Sequence, residues 1–131
     1  MATRRMNRPL SEAAQASADR RRREDAAPRV HVLLPKLQSL RLEIDERTSA
    51  AGLTTSSHIR RIVVESAPAL FLVACGDASC RDGGHDITEP VMRALRGGET
   101  RFEGDDSCRG ALGSGFCART MHYVGVATYA E

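Results

Sequence analysis

The stretch "LRLEIDE" at residues 40–46 sets Leu40, Leu42 and Ile44 against Arg41, Glu43 and Asp45. Apolar and charged side chains alternate with a period of two, the pattern of a strand with one face buried and the other in water. A half-buried sheet is therefore the starting point, and the neighbouring segments supply candidates for its other strands. Upstream, "VHVLL" (30–34) is a short β-prone run closed by Pro35. Downstream, "TSAAGLTTSS" (48–57) reads as a polar connection. "HIRRIVVE" (58–65) and "ALFLVAC" (69–75) flank "SAP" and predict a hairpin whose second strand is buried on both faces.

The next segment changes period. Asp86 and Glu89 form an Asp-x-x-Glu capping pattern, and Pro90 is tolerated in a first helical turn. Ile87, Val91 and Leu95 then fall at i, i+4 and i+8 with Met92 beside them, and Gly97-Gly98 ends the helix. Two further runs, "ETRFEG" (99–104) and "TMHYVGVATY" (120–129), read as strands. The expected fold is α+β: an antiparallel sheet of about five strands with one packed helix, metal-stapled loops and a disordered basic N-terminal arm.

The bulk composition fits that outline. A chain of 131 residues is one domain by length. Three Phe, two Tyr and no Trp leave a core built from Val, Leu, Ile and Ala, thin enough to gain from a covalent or metal staple. Residues 1–28 form a separate arm and residues 29–131 a single small body. Residues 1–29 hold eight arginines against Glu12, Asp19, Glu24 and Asp25, a net charge of +4. The remainder holds eleven basic and thirteen acidic groups, a net of −2. "LSEAAQASADRRRRED" favours helix, with Ser11 as a cap, but has no apolar stripe to hold it on the body. Disorder, or a helix formed on a partner, is expected. No apolar run suits a secretory signal or a membrane span, so a cytoplasmic protein is expected. In that compartment cysteines serve as ligands or thiols more often than as disulfides.

Those cysteines are the richest chemistry in the chain. "CGDASCRDGGHD" (75–86) carries Cys75, Cys80 and His85 among glycines and aspartates, and "CRGALGSGFC" (108–117) carries Cys108 and Cys117. If the last two strands pair as a hairpin, the second loop brings its two cysteines together, and loop ends on one side of a sheet can join both pairs around one ion. Tetrahedral Zn²⁺ takes four thiolate or imidazole ligands. Cys75, Cys80, Cys108 and Cys117 are the candidate ligands of one structural zinc, with His85 either a ligand or a hydrogen-bonding neighbour. An iron–sulfur cluster, free thiols and disulfides are the alternatives. A strand ending in Cys, then "CRDGG", a helix and a later cysteine pair is similar to thioredoxin-like [2Fe–2S] ferredoxins, but both cysteine spacings depart from theirs and the likeness is not adopted.

Catalysis is the weaker reading. Asp77 or Asp82 beside a three-ligand zinc, or Cys117 with His122, would be needed, and His31 and His58 lie at strand edges. "GALGSG" (110–115) lacks the Lys-Ser/Thr ending of a phosphate loop. The leading expectation is a zinc-stabilised module contacting nucleic acid or a ribonucleoprotein through Arg4, Arg5, Arg8, Arg20, Arg21, Arg22, Arg23, Arg60 and Arg61, extended by Arg109 and Arg119. A protein-binding adaptor and a redox protein are the competing classes. No membrane and no small-molecule substrate is indicated.

Overall fold

The structure, a computed structural model, describes residues 12–48, 54–77, 80, 83–113 and 115–131. The alternation at 40–46 lies at the heart of it. Strand β1 (Leu37–Thr48) pairs antiparallel with β2 (Thr54–Ile62) on one side and with β8 (Arg119–Tyr129) on the other. Strand β5 (Arg101–Ser107) pairs with the far side of β8, giving the order β2-β1-β8-β5. The sheet thus has four strands rather than five. Leu40, Leu42 and Ile44 are buried on its inner face beside Met121, Tyr123 and Ala127 of β8.

Helix α3 (Thr88–Arg96) puts Val91, Met92 and Leu95 into the same core as expected, but its N-cap is Ile87 rather than Asp86, and Glu89 pairs with Arg93 instead of closing a capping box. The Asp86 side chain accepts the Thr88 N–H at 3.0 Å, while Thr88 Oγ1 accepts the Phe71 N–H at 2.8 Å. The first turn is thereby tied to the preceding loop.

Three expectations fail, each for a physical reason. "VHVLL" is not a strand: Val30–Leu33 forms a single helical turn, α2, with the Leu34 N–H bonded to the Val30 carbonyl at 2.8 Å. Val30 and Leu34, four apart, are buried while His31, Val32 and Leu33 are exposed, so burial at helical spacing overrides β-branched propensity. The hairpin across "SAP" does not form. Residues 58–62 belong to β2 and take β1 as partner, whereas β3 (Leu72–Val73) pairs with β4 (His85–Asp86). Phe71, Leu72 and Val73 are all buried, as a segment covered on both faces should be.

The basic arm is helical rather than disordered over Glu12–Ala26, here α1; residues 1–11, with Arg4, Arg5 and Arg8, lie outside the described residues. Ala, Glu, Gln and Arg favour helix, and the Arg29 guanidinium donates to the carbonyls of Glu24 at 2.6 Å and Ala27 at 2.8 Å, satisfying the helix's C-terminal end. The missing apolar stripe shows in the packing: none of residues 14–26 is buried. Arg23 reaches Asp86 of β4 at 3.3 Å, an exposed ion pair. Among the described residues, no helix is long and apolar enough to cross a membrane.

Candidate metal centre

The cysteine loops meet at the end of the sheet where β5 stops and β8 begins. Cys75 follows β3, and Cys80 follows it across a turn in which the Cys80 N–H bonds the Asp77 carbonyl at 3.1 Å. Cys108 follows β5. From there the chain makes a small hairpin, β6 (Ala111–Leu112) against β7 (Gly115–Phe116), and Cys117 closes it. Backbone bonds from Cys117 N to Gly110 O at 2.8 Å and from Cys108 N to Arg119 O at 2.9 Å hold the hairpin's base. The expected pairing of the last two strands is therefore what brings Cys108 and Cys117 together.

All four sulfurs lie within 4.8 Å of one another. Cys75 Sγ is 3.8 Å from Cys117 Sγ, and Cys80 Sγ is 3.6 Å from Cys108 Sγ, so each close pair joins the two loops. These separations far exceed the ~2.05 Å of a disulfide bond. They match the ~3.8 Å edge of a tetrahedron whose corners lie ~2.3 Å from a central ion. Cys108 and Cys117 are buried, and Cys75 and Cys80 are half-buried. The donor set is four soft sulfurs, a set that can hold a metal ion.

The backbone is shaped around those sulfurs. Gly84 donates its N–H to Cys108 Sγ at 3.3 Å, and Asp77 donates to Cys75 Sγ at 3.5 Å. Gly84 has φ +114°, where any side chain would be strained. A Cβ on Gly83 would overlap the Cys80 sulfur and come within 2.7 Å of the Cys108 sulfur. Glycine at 83 thus lets the chain pass directly over the cluster.

The thiols differ electrostatically. Burial pushes Cys75 up to about 11 and moves Cys80 in the same direction. Burial would also raise Cys108, but N–H donation from Gly84 and Gly110 and the Cys80 and Cys117 thiols outweigh it, leaving Cys108 below the ordinary thiol range.

Two polar contacts flank the cluster, an ion pair and a histidine–aspartate hydrogen bond, and only fragments of them were legible in the sequence. Glu46 sits on the inner face of β1 with its side chain 7% exposed; it accepts from Arg119 Nη1 at 2.7 Å and from the Gly76 N–H at 2.7 Å. That places a clamp on the residue next to Cys75. Its signal in sequence is a break in rule, because Glu46 continues the apolar register of Leu40, Leu42 and Ile44. On the other side His85 Nδ1 bonds Asp106 Oδ2 at 2.8 Å, tying β4 to β5 two residues before Cys108. His85 is buried, its ring is not among the ligand atoms brought together, and its Nε2 has no hydrogen-bond partner among the described residues.

The arginines fare unevenly. Arg21, Arg22 and Arg23 are exposed on α1, with Arg22 paired to Asp19 and Arg23 to Asp86, and Arg20 is half-buried. Arg61 is exposed, but Arg60 turns to the inner face and donates to the Leu72 carbonyl at 2.8 Å. Arg109 is exposed, whereas Arg119 belongs to the Glu46 clamp. Sequence reasoning missed Phe116, which stands 89% exposed on the small hairpin beside Cys117.

No protein-family model, no curated protein and no solved structure matches this chain.

Proposed function

We propose that this chain is a small binding module whose loop end is held closed by one structural Zn²⁺ on Cys75, Cys80, Cys108 and Cys117. The observation that carries the reading is the convergence of four thiols, from two loops distant in sequence, within 4.8 Å. Four protein ligands fill a tetrahedral site and leave no position for a substrate, which favours a structural over a catalytic metal. The spacing also favours a single ion over an iron–sulfur cluster, because a cluster places several atoms between its thiolates and spreads them further apart. Zinc would supply charge neutralisation for the thiolates and a crosslink between two loops distant in sequence. Backbone N–H groups on the sulfurs, the Gly83 passage and the Glu46–Arg119 clamp orient the donors for it.

In this reading the partner is a nucleic acid. Arg20 to Arg23 offer a run of cations on α1, and Phe116 lies opposite Ala111 in the small hairpin, with Arg109 and Ala118 exposed at its base. Small neighbours leave the Phe116 ring open for a base to stack on, with a guanidinium beside it for a phosphate. The test is binding of a labelled single-stranded oligonucleotide to the zinc-loaded chain at rising salt. Affinity should fall by about tenfold or more between 50 and 200 mM salt and weaken in R20E/R21E and in Phe116→Ala. Salt-independent binding, or binding indifferent to both variants, would refute a nucleic-acid partner and leave the zinc reading intact.

A further inference from the structure

The sheet has a second face that the metal centre does not use. Residues directly opposite one another in the ladders share a face, so the register gives its rows. One row runs Arg61, Arg41, Val126, Arg101 across β2, β1, β8 and β5. The next runs Ile59, Glu43, Val124, Glu103. A third, Ser57, Asp45, His122, Asp105, continues the acidic stripe. Helix α3 packs on the opposite face, and no described element covers this one: Ile59 is 51% exposed and the Glu103 side chain 62%. A positive stripe therefore lies beside a negative one, each crossed by a valine on β8.

From this pattern we infer that the open face binds a second copy of the chain, sheet against sheet. A two-fold axis crossing the strands between the first two rows places each row over the other row of the partner copy. Arg41 then faces Glu43 of the partner subunit, and Arg101 faces Glu103 of the partner subunit. Val126 meets Val124 of the partner subunit, and the Arg61 stem lies over Ile59 of the partner subunit. Every cation of these rows meets a carboxylate or an apolar group, and the two-fold repeats each contact. On the same axis Asp45 falls over Ser39 of the partner subunit and His122 over Thr128 of the partner subunit rather than over like charge, while Asp105 falls past the start of β5. Within one chain Arg41 leans on Glu43 at 3.4 Å, while Arg61 and Arg101 have no ion pair among the described residues.

Size sets the strength. Four strands ~4.8 Å apart and four rows ~6.7 Å apart cover roughly 500 Å² per copy, the low end of specific interfaces, so association in the micromolar range or weaker is expected. This inference is independent of the metal.

The experiment is sedimentation of the full, metal-loaded chain from about 1 µM to 1 mM, with three comparisons. The wild type should pass from monomer to dimer and weaken by about tenfold or more when salt rises from 0.05 to 0.5 M. R41E/R101E and E43R/E103R should each remain monomeric, with metal content unchanged and melting shifted by no more than a few degrees, because the contacts they lose within the chain, Arg41 to Glu43 and Glu103 to His122, are solvent-facing. Mixed in equal amounts, the two variants should form a heterodimer, since every contact is then between opposite charges. A wild type that stays monomeric up to 1 mM overturns the inference. Variants that dimerise as the wild type does overturn it too, by placing the contact on another face, and so does a mixture that stays monomeric.

Discussion

The two ends of β8 hold their surroundings together by different means. Toward Tyr129 the chain is a regular sheet: β1 and β8 pair over eleven positions, and alternating apolar residues close over α3 in one core. Toward Arg119 the same strands open into loops whose only regular pieces among the described residues are two-residue ladders, β3 with β4 and β6 with β7. Ladders that short cannot sustain themselves in water. That end leans less on apolar burial and more on four thiols, the Glu46–Arg119 ion pair, the His85–Asp106 hydrogen bond and glycines that let backbone lie against sulfur. The contrast shows how a chain with few aromatics divides its stability. Apolar alternation fixes the sheet, and polar chemistry fixes the loops.

Removing a thiol should break this division most severely. Cys108→Ser should abolish stoichiometric metal binding and cost at least about 4 kcal/mol, read as a large fall in melting temperature that added zinc does not restore. The matching change at the sheet end, Leu42→Ala, should cost about 3 kcal/mol by leaving a cavity in the core, yet keep the metal stoichiometry of the wild type. Should Leu42→Ala also lose its metal, the two ends are not separable. Next in size is the clamp. Glu46→Gln keeps the shape but removes the charge facing Arg119, and should cost about 1–3 kcal/mol and weaken metal affinity by about tenfold or more in a chelator competition.

The smallest effects lie on the open sheet face and the hairpin. His122 stands between Asp105 Oδ1 at 2.8 Å and Glu103 Oε2 at 3.1 Å on β5, opposite Asp45 on β1. Hydrogen bonding to Asp105, reinforced by Glu103, raises its pKa above the ordinary histidine value. A raised folded-state pKa adds stability that is fully present below about pH 6.5 and is lost as pH rises through the folded value. The gain should stay under about 1 kcal/mol because the carboxylates are exposed, and D105N should flatten the pH dependence of melting. Phe116→Ala should change stability by no more than about 0.5 kcal/mol, since the ring buries little.

How far the sequence revealed this molecule follows the same contrast. The alternation at 40–46 and the spacing of Ile87, Val91 and Leu95 are local patterns, and both appear where they were read. Strand partners are not local. Residues 58–62 look equally suited to pair with 69–75 or with 40–44, and only the packed core selects the second. The four cysteines were legible because their residue type is rare and their loops are glycine-rich. Glu46, Arg119 and Asp106 were not, because a charged residue in an alternating strand shows its burial only when its partner, here 73 positions away, is known. The N-terminal helix was visible as propensity, but its capping by Arg29 depends on a side chain folding back across a proline.

The measurement that bears most directly on the account is elemental analysis of the purified full chain, joined to thermal melts before and after chelation. One zinc per chain, with a fall of more than about 10 °C on chelation that returns when zinc is restored, is the predicted result. A chain that carries no metal and melts at the same temperature with or without chelator would contradict it, and would reduce the four converging cysteines to neighbouring thiols.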